Sequence, residues 1–311
     1  MMGGGLKDIV ADSLFEGEMK YREPMSRHTS LKIGGPADFF AVPANLPALA
    51  RLIDYLGRND IPILLLGAGT NILVRDGGIT GAVVCLSSLR GIEAIKEDSE
   101  HIWLSVQAGT LLQSLVMHAK RHGYAGIEGL AGIPGTVGGA IRGNAGSFGY
   151  EIKDVITSIE VMDRQGKIEG LRAKDISFGY RTTNIPHAYV LLRSTMKLRK
   201  EKPSDISARV ERFLAVKRER QPIWEPSAGC VFKNPEGLSA GKLIEEVGCK
   251  GMRRGDIVVS SIHANFFINA GEGCAADFIA LMTEVTEKVR ITCGINLEPE
   301  IQIVGRDRAK G

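Results

Sequence analysis

The chain has 311 residues, of which 44% are apolar, with 39 basic and 36 acidic side chains and a formal net charge of +3. That charge is too small to imply a nucleic-acid partner, the apolar share excludes disorder, and the length suggests two or three domains. Aromatic residues at 6% leave no stacking platform for single strands, and five cysteines without a CxxC pair argue against a disulfide framework and a zinc site.

The start, MMGGGLKDIV, lacks a charged region followed by a long apolar one, so no signal peptide is expected. Runs such as IPILLL are too short to span a bilayer, which predicts a cytoplasmic protein in a reducing compartment, without membrane insertion. The first 20 residues carry only the pattern of a short helix. PADFFAVP (36–43) predicts a strand. Leu46, Leu49, Leu52, Ile53 and Leu56 then recur at helical spacing, with Asn45 as N-cap and Gly57 as the stop. IPILLL (61–66) is a buried strand running into GAGTN, and IWLSVQAG (102–109) is another. Thr110 caps a helix to about His122 that Gly123 closes. VITSIEVMDRQGKIEGL (155–171) alternates with period two around Arg164-Gln165-Gly166 and predicts a hairpin, and YVLLRSTMKLR (189–199) a further strand. Past the charge-dense KLRKEKPSD, the residues Ile206, Val210, Phe213 and Val216 line a helix that ends in Lys217, Arg218 and Arg220. A short helix (239–247), a strand FFIN (266–269), a helix with Phe278, Met282, Val285 and Val289, and a final strand INLEPEIQIVG complete the chain. The layout is α+β, with two lobes to about residue 200 and a third beyond.

GLAGIPGTVGGAIRGNAGSFG (129–149) holds eight glycines in 21 residues and no acid. Glycine lets backbone N–H groups face a ligand without a Cβ in the way, and nothing here repels a phosphate. GAGTN (67–71) offers a second close approach after a strand, although Ile72 breaks GxGxxG. GEGCAA (271–276) matches GxGxxA, but Glu272 would place a carboxylate against a pyrophosphate and too little chain remains for further βαβ units. A turn and helix start explains it better. GLSAGKL (237–243) has the wrong spacing for a P-loop and Leu243 where a hydroxyl must hold magnesium. The chain therefore points to a phosphate-bearing cofactor or substrate without a Rossmann or P-loop fold.

SFGYRTT (177–183) carries Arg181, whose guanidinium suits carboxylates and phosphates, though a lone Arg is more often a surface or salt-bridged one. LEPE (297–300) puts Glu298 and Glu300 on one side of a strand that Pro299 restricts to an edge or an irregular start. His118 and His122 have the i, i+4 spacing of a metal pair, but Lys120 and Arg121 would repel a cation, so they read as a helix face and no metal is expected. SAGCVFKNP (227–235) sets Cys230 just before Lys233 and Asn234, the neighbourhood of a reactive thiol; a small buried hydrophobe is the plainer alternative.

Eight ordered segments together resemble the UDP-N-acetylenolpyruvoylglucosamine reductase (MurB) family: HTSLKIGGPAD, LGAGTNILVRDGG, GIEGLAGIPGTVGGAIRGNAG, FGYRTT, SAGCVFKNP, SAGKLIEEVGCKG, HANFFIN and NLEPEIQIVG. The resemblance covers the chain from about residue 20. It implies a two-subdomain FAD-binding fold of the vanillyl-alcohol-oxidase/PCMH type plus a C-terminal α+β substrate-binding domain. The expected bounds are an extension over 1–20, subdomains over 21–90 and 91–200, and a substrate domain over 201–311 whose closing strand 296–305 carries Glu300. It further implies non-covalent FAD, NADPH as hydride donor, a UDP-sugar enolpyruvyl ether as substrate and a role in peptidoglycan precursor synthesis; no obligate protein partner is evident.

By the same resemblance the FAD contacts fall at Gly67, Ala68, Gly69, Thr70 and Asn71, at Gly132, Ile133, Pro134, Gly135 and Gly138, and at Asn144, Ala145 and Gly146. Arg181 and Glu300 sit against the enolate formed when hydride reaches the substrate, and Tyr180, Arg220, Lys233, Asn234 and His263 contact substrate. Arg181 is followed quickly by strand 189–199 and one helix, which resembles the shorter family type without the inserted Tyr loop. The proton donor is a Ser in the best-known members, and here Cys230 stands in its place. A thiol of ordinary pKa about 8.5 is the easier donor while protonated, so activity is expected to fall on the alkaline side. Two other readings fit less of the chain. A different FAD oxidoreductase of the superfamily would often hold flavin covalently, and a non-catalytic nucleotide-sugar binding protein would be colourless.

Overall fold

The computed structural model describes residues 15–308, so the short helix expected near the start falls largely outside the described residues. The chain divides into two compact units. The first takes the chain up to Arg22, then Phe39–Gly67 and Gly81–Phe213; the second takes Glu23–Asp38, Ala68–Thr80 and the chain from Leu214 onward. The mixture of helices and largely antiparallel strands is the α+β class expected.

The strand Pro36–Pro43, which belongs to the first unit from Phe39 on, leads into the helix Leu46–Arg58, whose Asn45 side chain accepts from Ala48 N at 2.9 Å. Its buried face, Leu49, Leu52, Ile53 and Leu56, packs on Phe39, Ala82, Val84, Met162 and Leu192. Gly57 does not end this helix, which runs to Arg58 and is capped at Asn59. A Cβ on Gly57 would meet Arg164 O at 2.7 Å, so the glycine answers to the hairpin turn beside it. The strand Ile63–Leu66 pairs in parallel with Ile79–Cys85, an apolar strand the sequence reading passed over, as it did Gly17–Pro24. These two, Pro36–Pro43 and Gly17–Pro24 make one four-stranded sheet. A second, antiparallel sheet runs in the order Ile168–Arg172, Ile156–Met162, Val190–Lys200, His101–Gln107, Ile92–Glu97. The helix Leu112–His122 closes at Gly123 in the left-handed region, as expected of a glycine there. Thr110 does not cap it. The Thr110 hydroxyl instead accepts from Gly91 N at 3.0 Å, and Leu111 takes the cap position without a side-chain bond.

The second unit has its own core, in which Phe232, Phe267 and Phe278 interlock with Leu281, Val285 and Val289. Its sheet runs Ser227–Cys230, Phe266–Asn269, Ile257–Val259, Arg253–Arg254. The helix Ala275–Cys293 buries Phe278, Met282, Val285 and Val289. GEGCAA is a turn and helix start: Asn269 Oδ1 takes Gly273 N at 2.9 Å, and both Asp76 carboxylate oxygens receive Ala275 N and Ala276 N at 2.9 and 3.0 Å. The N–H groups a pyrophosphate would need are thus bound by an internal carboxylate, which also complements the helix dipole. The closing segment is strand only over Gln302–Val304, in parallel with Ile72–Val74. Glu298 and Glu300 precede it in irregular backbone around Pro299, so the expected strand face they share does not form.

Candidate active site

In the first unit the glycine-rich segment spends several of its N–H groups on the surrounding chain. Gly132 N donates to Gln113 Oε1 at 2.9 Å, Ile133 N to Leu130 O at 3.1 Å, and Gly138 N to Ala108 O at 2.8 Å. These donors are therefore not offered to a ligand. Among the described residues, no hydrogen bond takes up the N–H of Gly135 or Thr136. Gly135 has φ +124°, which an L side chain would resist. A Cβ on Gly67 would stand 2.4 Å from Thr136 Oγ1, so GAGTN begins against this same open backbone. Glu128, 2% exposed, anchors the start of the segment by a forked bond from Arg209 at 2.9 and 2.7 Å, and it accepts Gly126 N at 2.7 Å. Sequence reading had no signal for this pair, since its partners are 81 residues apart.

Asn144 is fully buried with φ +39°. Its Nδ2 donates to Gly179 O at 3.1 Å and to Glu151 Oε2 at 3.3 Å, while its buried Oδ1 has no partner among the described residues. A buried acceptor left open costs about 1–3 kcal/mol and calls for a donor from outside the chain. That acceptor, the two open N–H groups and the glycine backbone fit a flavin nucleotide, which carries both ring N–H and phosphate oxygens.

Arg181 occupies the second position of the two-residue turn joining Phe178–Gly179 to Thr182–Thr183, with φ +56°. A non-glycine residue in that region costs of order 1–3 kcal/mol. Three bonds tie the hairpin to the glycine-rich segment: Asn144 to Gly179 O, Arg181 Nη2 to Gly146 O at 3.3 Å, and Thr183 Oγ1 to Arg142 O at 3.3 Å. Arg142, half-buried, donates in turn to Ile185 O, Pro186 O and Tyr189 O. Tyr180 is exposed, with the Arg181 guanidinium 5.1 Å from its ring centroid.

In the second unit Cys230 ends its strand, half-buried, after Gly229 in the left-handed region. The following backbone is gripped from two sides. Glu300 N donates to Val231 O at 2.8 Å and Lys233 N to Glu298 O at 2.8 Å, which leaves Phe232 N and O turned the other way. There the Asn265 side chain meets both, accepting from Phe232 N at 2.9 Å and donating to Phe232 O at 2.7 Å. Asn265, 2% exposed, acts as a stand-in strand, a role the motif HANFFIN did not reveal. Asn71 Nδ2 donates to Glu300 O at 3.2 Å. Cys230, Glu300 and Asn71 are thus brought together through Val231 O and the Glu300 backbone.

The remaining expected residues take these places. Ala68, Gly69 and Thr70 belong to the second unit, and Gly69, at φ +63°, lies under His28 O. Pro134 is exposed and Ala145 half-buried within the glycine-rich segment. Lys233 pairs its ammonium with Glu298 at 3.4 Å. Asn234, exposed, accepts Ala240 N at 3.0 Å before the helix Ala240–Glu246. Arg220 is exposed at the end of the helix Pro203–Arg220. His263 Nδ1 accepts Asn265 N at 3.2 Å, so the ring proton sits on Nε2 when neutral, and burial pushes its pKa down. The His118 and His122 rings lie 4.2 Å apart with His122 Nδ1 bonded to His118 O, and no set of three metal-ligating side chains occurs among the described residues.

Residues 221–304 match the family described as UDP-N-acetylenolpyruvoylglucosamine reductase, C-terminal domain, and residues 37–172 match the FAD binding domain. A UDP-N-acetylenolpyruvoylglucosamine reductase from Syntrophus aciditrophicus (strain SB) is 41% identical over 295 residues, covering 95% of this chain and 95% of that one. One from Caldanaerobacter subterraneus subsp. tengcongensis is 42% identical over 301 residues, covering 96% and 98%. The crystal structure of the enzyme from Thermus caldophilus superposes with a TM-score of 0.79 at 33% identity, covering 93% of this chain and 98% of that one.

Proposed function

This chain belongs to the UDP-N-acetylenolpyruvoylglucosamine reductase family, and on that premise we propose that it performs the family reaction in full. That reaction is the NADPH-dependent reduction of UDP-N-acetylglucosamine enolpyruvate to UDP-N-acetylmuramate, in the cytoplasm, for peptidoglycan precursors. Bound FAD would supply the redox chemistry, the transfer of hydride from NADPH to the enolpyruvyl group. Residues 21–90 and 91–200 serve as two FAD-binding subdomains, and 201–311 as the substrate domain. Residues 67–71 and the segment 132–146, with Gly135 N, Thr136 N and Asn144 Oδ1 foremost, hold the cofactor.

Arg181 offers its guanidinium to the substrate carboxylate and to the enolate that develops beside it, where fixed charge lowers the barrier most. Glu300 adds a hydrogen bond to the enolate oxygen when its carboxyl carries the proton. Cys230 Sγ–H gives the proton that completes reduction at the carbon bearing the carboxylate. Tyr180, Arg220, Lys233, Asn234 and His263 hold the UDP-sugar. Among the described residues no inserted loop follows Arg181, so phosphate binding falls to cations such as Arg220. The observation that carries this reading is the bond from Glu300 N to Val231 O, which sets the carboxyl-bearing residue against the neighbour of the thiol-bearing one. No described helix is long and apolar enough to cross a membrane.

The test is spectroscopic. The purified protein is expected to be yellow, to bleach with NADPH and to recover its colour with the enolpyruvyl substrate. A colourless preparation that consumes no NADPH overturns the assignment. Cys230→Ala is expected to stall colour recovery while Cys230→Ser sustains it; recovery in Cys230→Ala at the wild-type rate removes the thiol as donor.

A further inference from the structure

Glu151 has no part in the assignment above, yet it stands at the centre of the contacts that hold Arg181. Gly146–Ser147 and Tyr150–Glu151 form a small antiparallel pair in which Glu151 lies opposite Gly146. Gly146 O is the acceptor for Arg181 Nη2. The Glu151 carboxylate also accepts from Asn144 Nδ2, the same nitrogen that donates to Gly179 O in the strand before Arg181. The Glu151 side chain therefore bonds the amide that fixes the hairpin, and its backbone lies opposite the residue whose carbonyl receives the guanidinium. Lys153 closes the group by an ion pair with Glu151. The Lys153 bond holds the Glu151 carboxyl below the usual range, with the Asn144 bond and the Arg181 charge pushing the same way against burial.

Arg181 needs such support. Its backbone is in the left-handed region at a turn tip, and the turn has only two residues on each flank. A long side chain on so short a hairpin loses its aim unless neighbours restrict it. We propose that Glu151 is a positioning residue, which acts through Asn144 and Gly146 to hold the strained hairpin so that the Arg181 guanidinium is presented in one orientation to an anionic substrate. The inference rests on the role given to Arg181 above.

The experiment follows flavin colour in two separate phases, bleaching by NADPH and recovery on adding the enolpyruvyl substrate, in Glu151→Gln, Glu151→Ala and Arg181→Met. Glu151→Gln keeps the shape, so it carries the test should the Ala variant fail to fold. Both Glu151 variants are expected to slow recovery by about 10- to 100-fold and bleaching by far less. Placed in the Arg181→Met background, Glu151→Ala should change recovery by less than about twofold, because the group it positions is gone. A merely structural role predicts equal losses in both phases, which would overturn the proposal. So would an undiminished Glu151→Ala effect on Arg181→Met, or wild-type recovery in Glu151→Gln. If Arg181→Met alone recovers at the wild-type rate, the role of Arg181 fails and this inference with it; if Arg181→Met is slow and Glu151→Ala is normal, only the inference fails.

Discussion

Replacing Asn265 tests whether one side chain holds the Cys230 segment in place. In the native protein both polar groups of the Phe232 backbone bond to the Asn265 amide, at 2.9 and 2.7 Å, and Phe232 itself is 1% exposed. Asn265→Ala leaves one N–H and one C=O buried without partners. Each such group costs about 1–3 kcal/mol, so the loss should be about 4 kcal/mol. At roughly 2–4 °C per kcal/mol, the melting temperature of the second unit should drop by about 10 °C. Asn265→Asp separates this account from one based on volume. The Asp side chain has nearly the same size, but it sets a carboxylate oxygen against Phe232 O where an N–H donor stood. It should therefore destabilise at least as much as Ala. Thermal denaturation at neutral pH, followed by circular dichroism, reads both. An Asp variant that melts with the wild type, or an Ala variant that loses less than about 1 kcal/mol, refutes the reasoning.

Asp76→Ala should cost about 1–2 kcal/mol by freeing the two N–H groups at the start of the Ala275–Cys293 helix, read by denaturant titration; no change would mean water replaces the carboxylate at no cost. Gly69→Ala should destabilise by more than about 3 kcal/mol, since its Cβ would meet His28 O at 2.0 Å in a left-handed backbone. Gly149→Ala, at φ +80° with open space around it, should cost only about 1–2 kcal/mol, and equal losses at the two sites would contradict the steric argument. His263 has its pKa lowered chiefly by burial, so the unfolded chain binds a proton more readily than the folded one. Its contribution to stability is present above about pH 6.5 and is lost as pH falls toward the lower folded value. His118 acts in the same direction. Melting temperature measured from about pH 8 down to about 5.5 should fall with a slope that His263→Gln reduces, and an unchanged slope removes His263 as its source.

The core-facing helices were legible because apolar spacing along a helix is a local pattern. Leu49, Leu52, Ile53 and Leu56 are buried as their spacing required, and so are Phe278, Met282, Val285 and Val289. The glycine-rich segment was legible as backbone needing freedom, but its donors were not. Gly132, Ile133 and Gly138 spend theirs within the protein, which leaves Gly135 and Thr136. Thr110 and Gly57 misled for one reason: each looks like a helix signal, and each answers to a neighbour distant in sequence, Gly91 and Arg164.

The order of amino acids alone thus determined the α+β class, the helix faces and the family, and it put forward Arg181, Cys230 and Glu300 as candidate groups, because periodicity and contiguous motifs are written over short stretches of chain. Only the tertiary structure decided how those groups are held. Asp76 caps a helix 199 residues away, Asn71 meets the Glu300 backbone 229 residues away, and the Asn265 amide completes a strand at Phe232. Such bonds depend on which polar groups the fold leaves buried and unpaired, and that is settled only once distant segments have packed together.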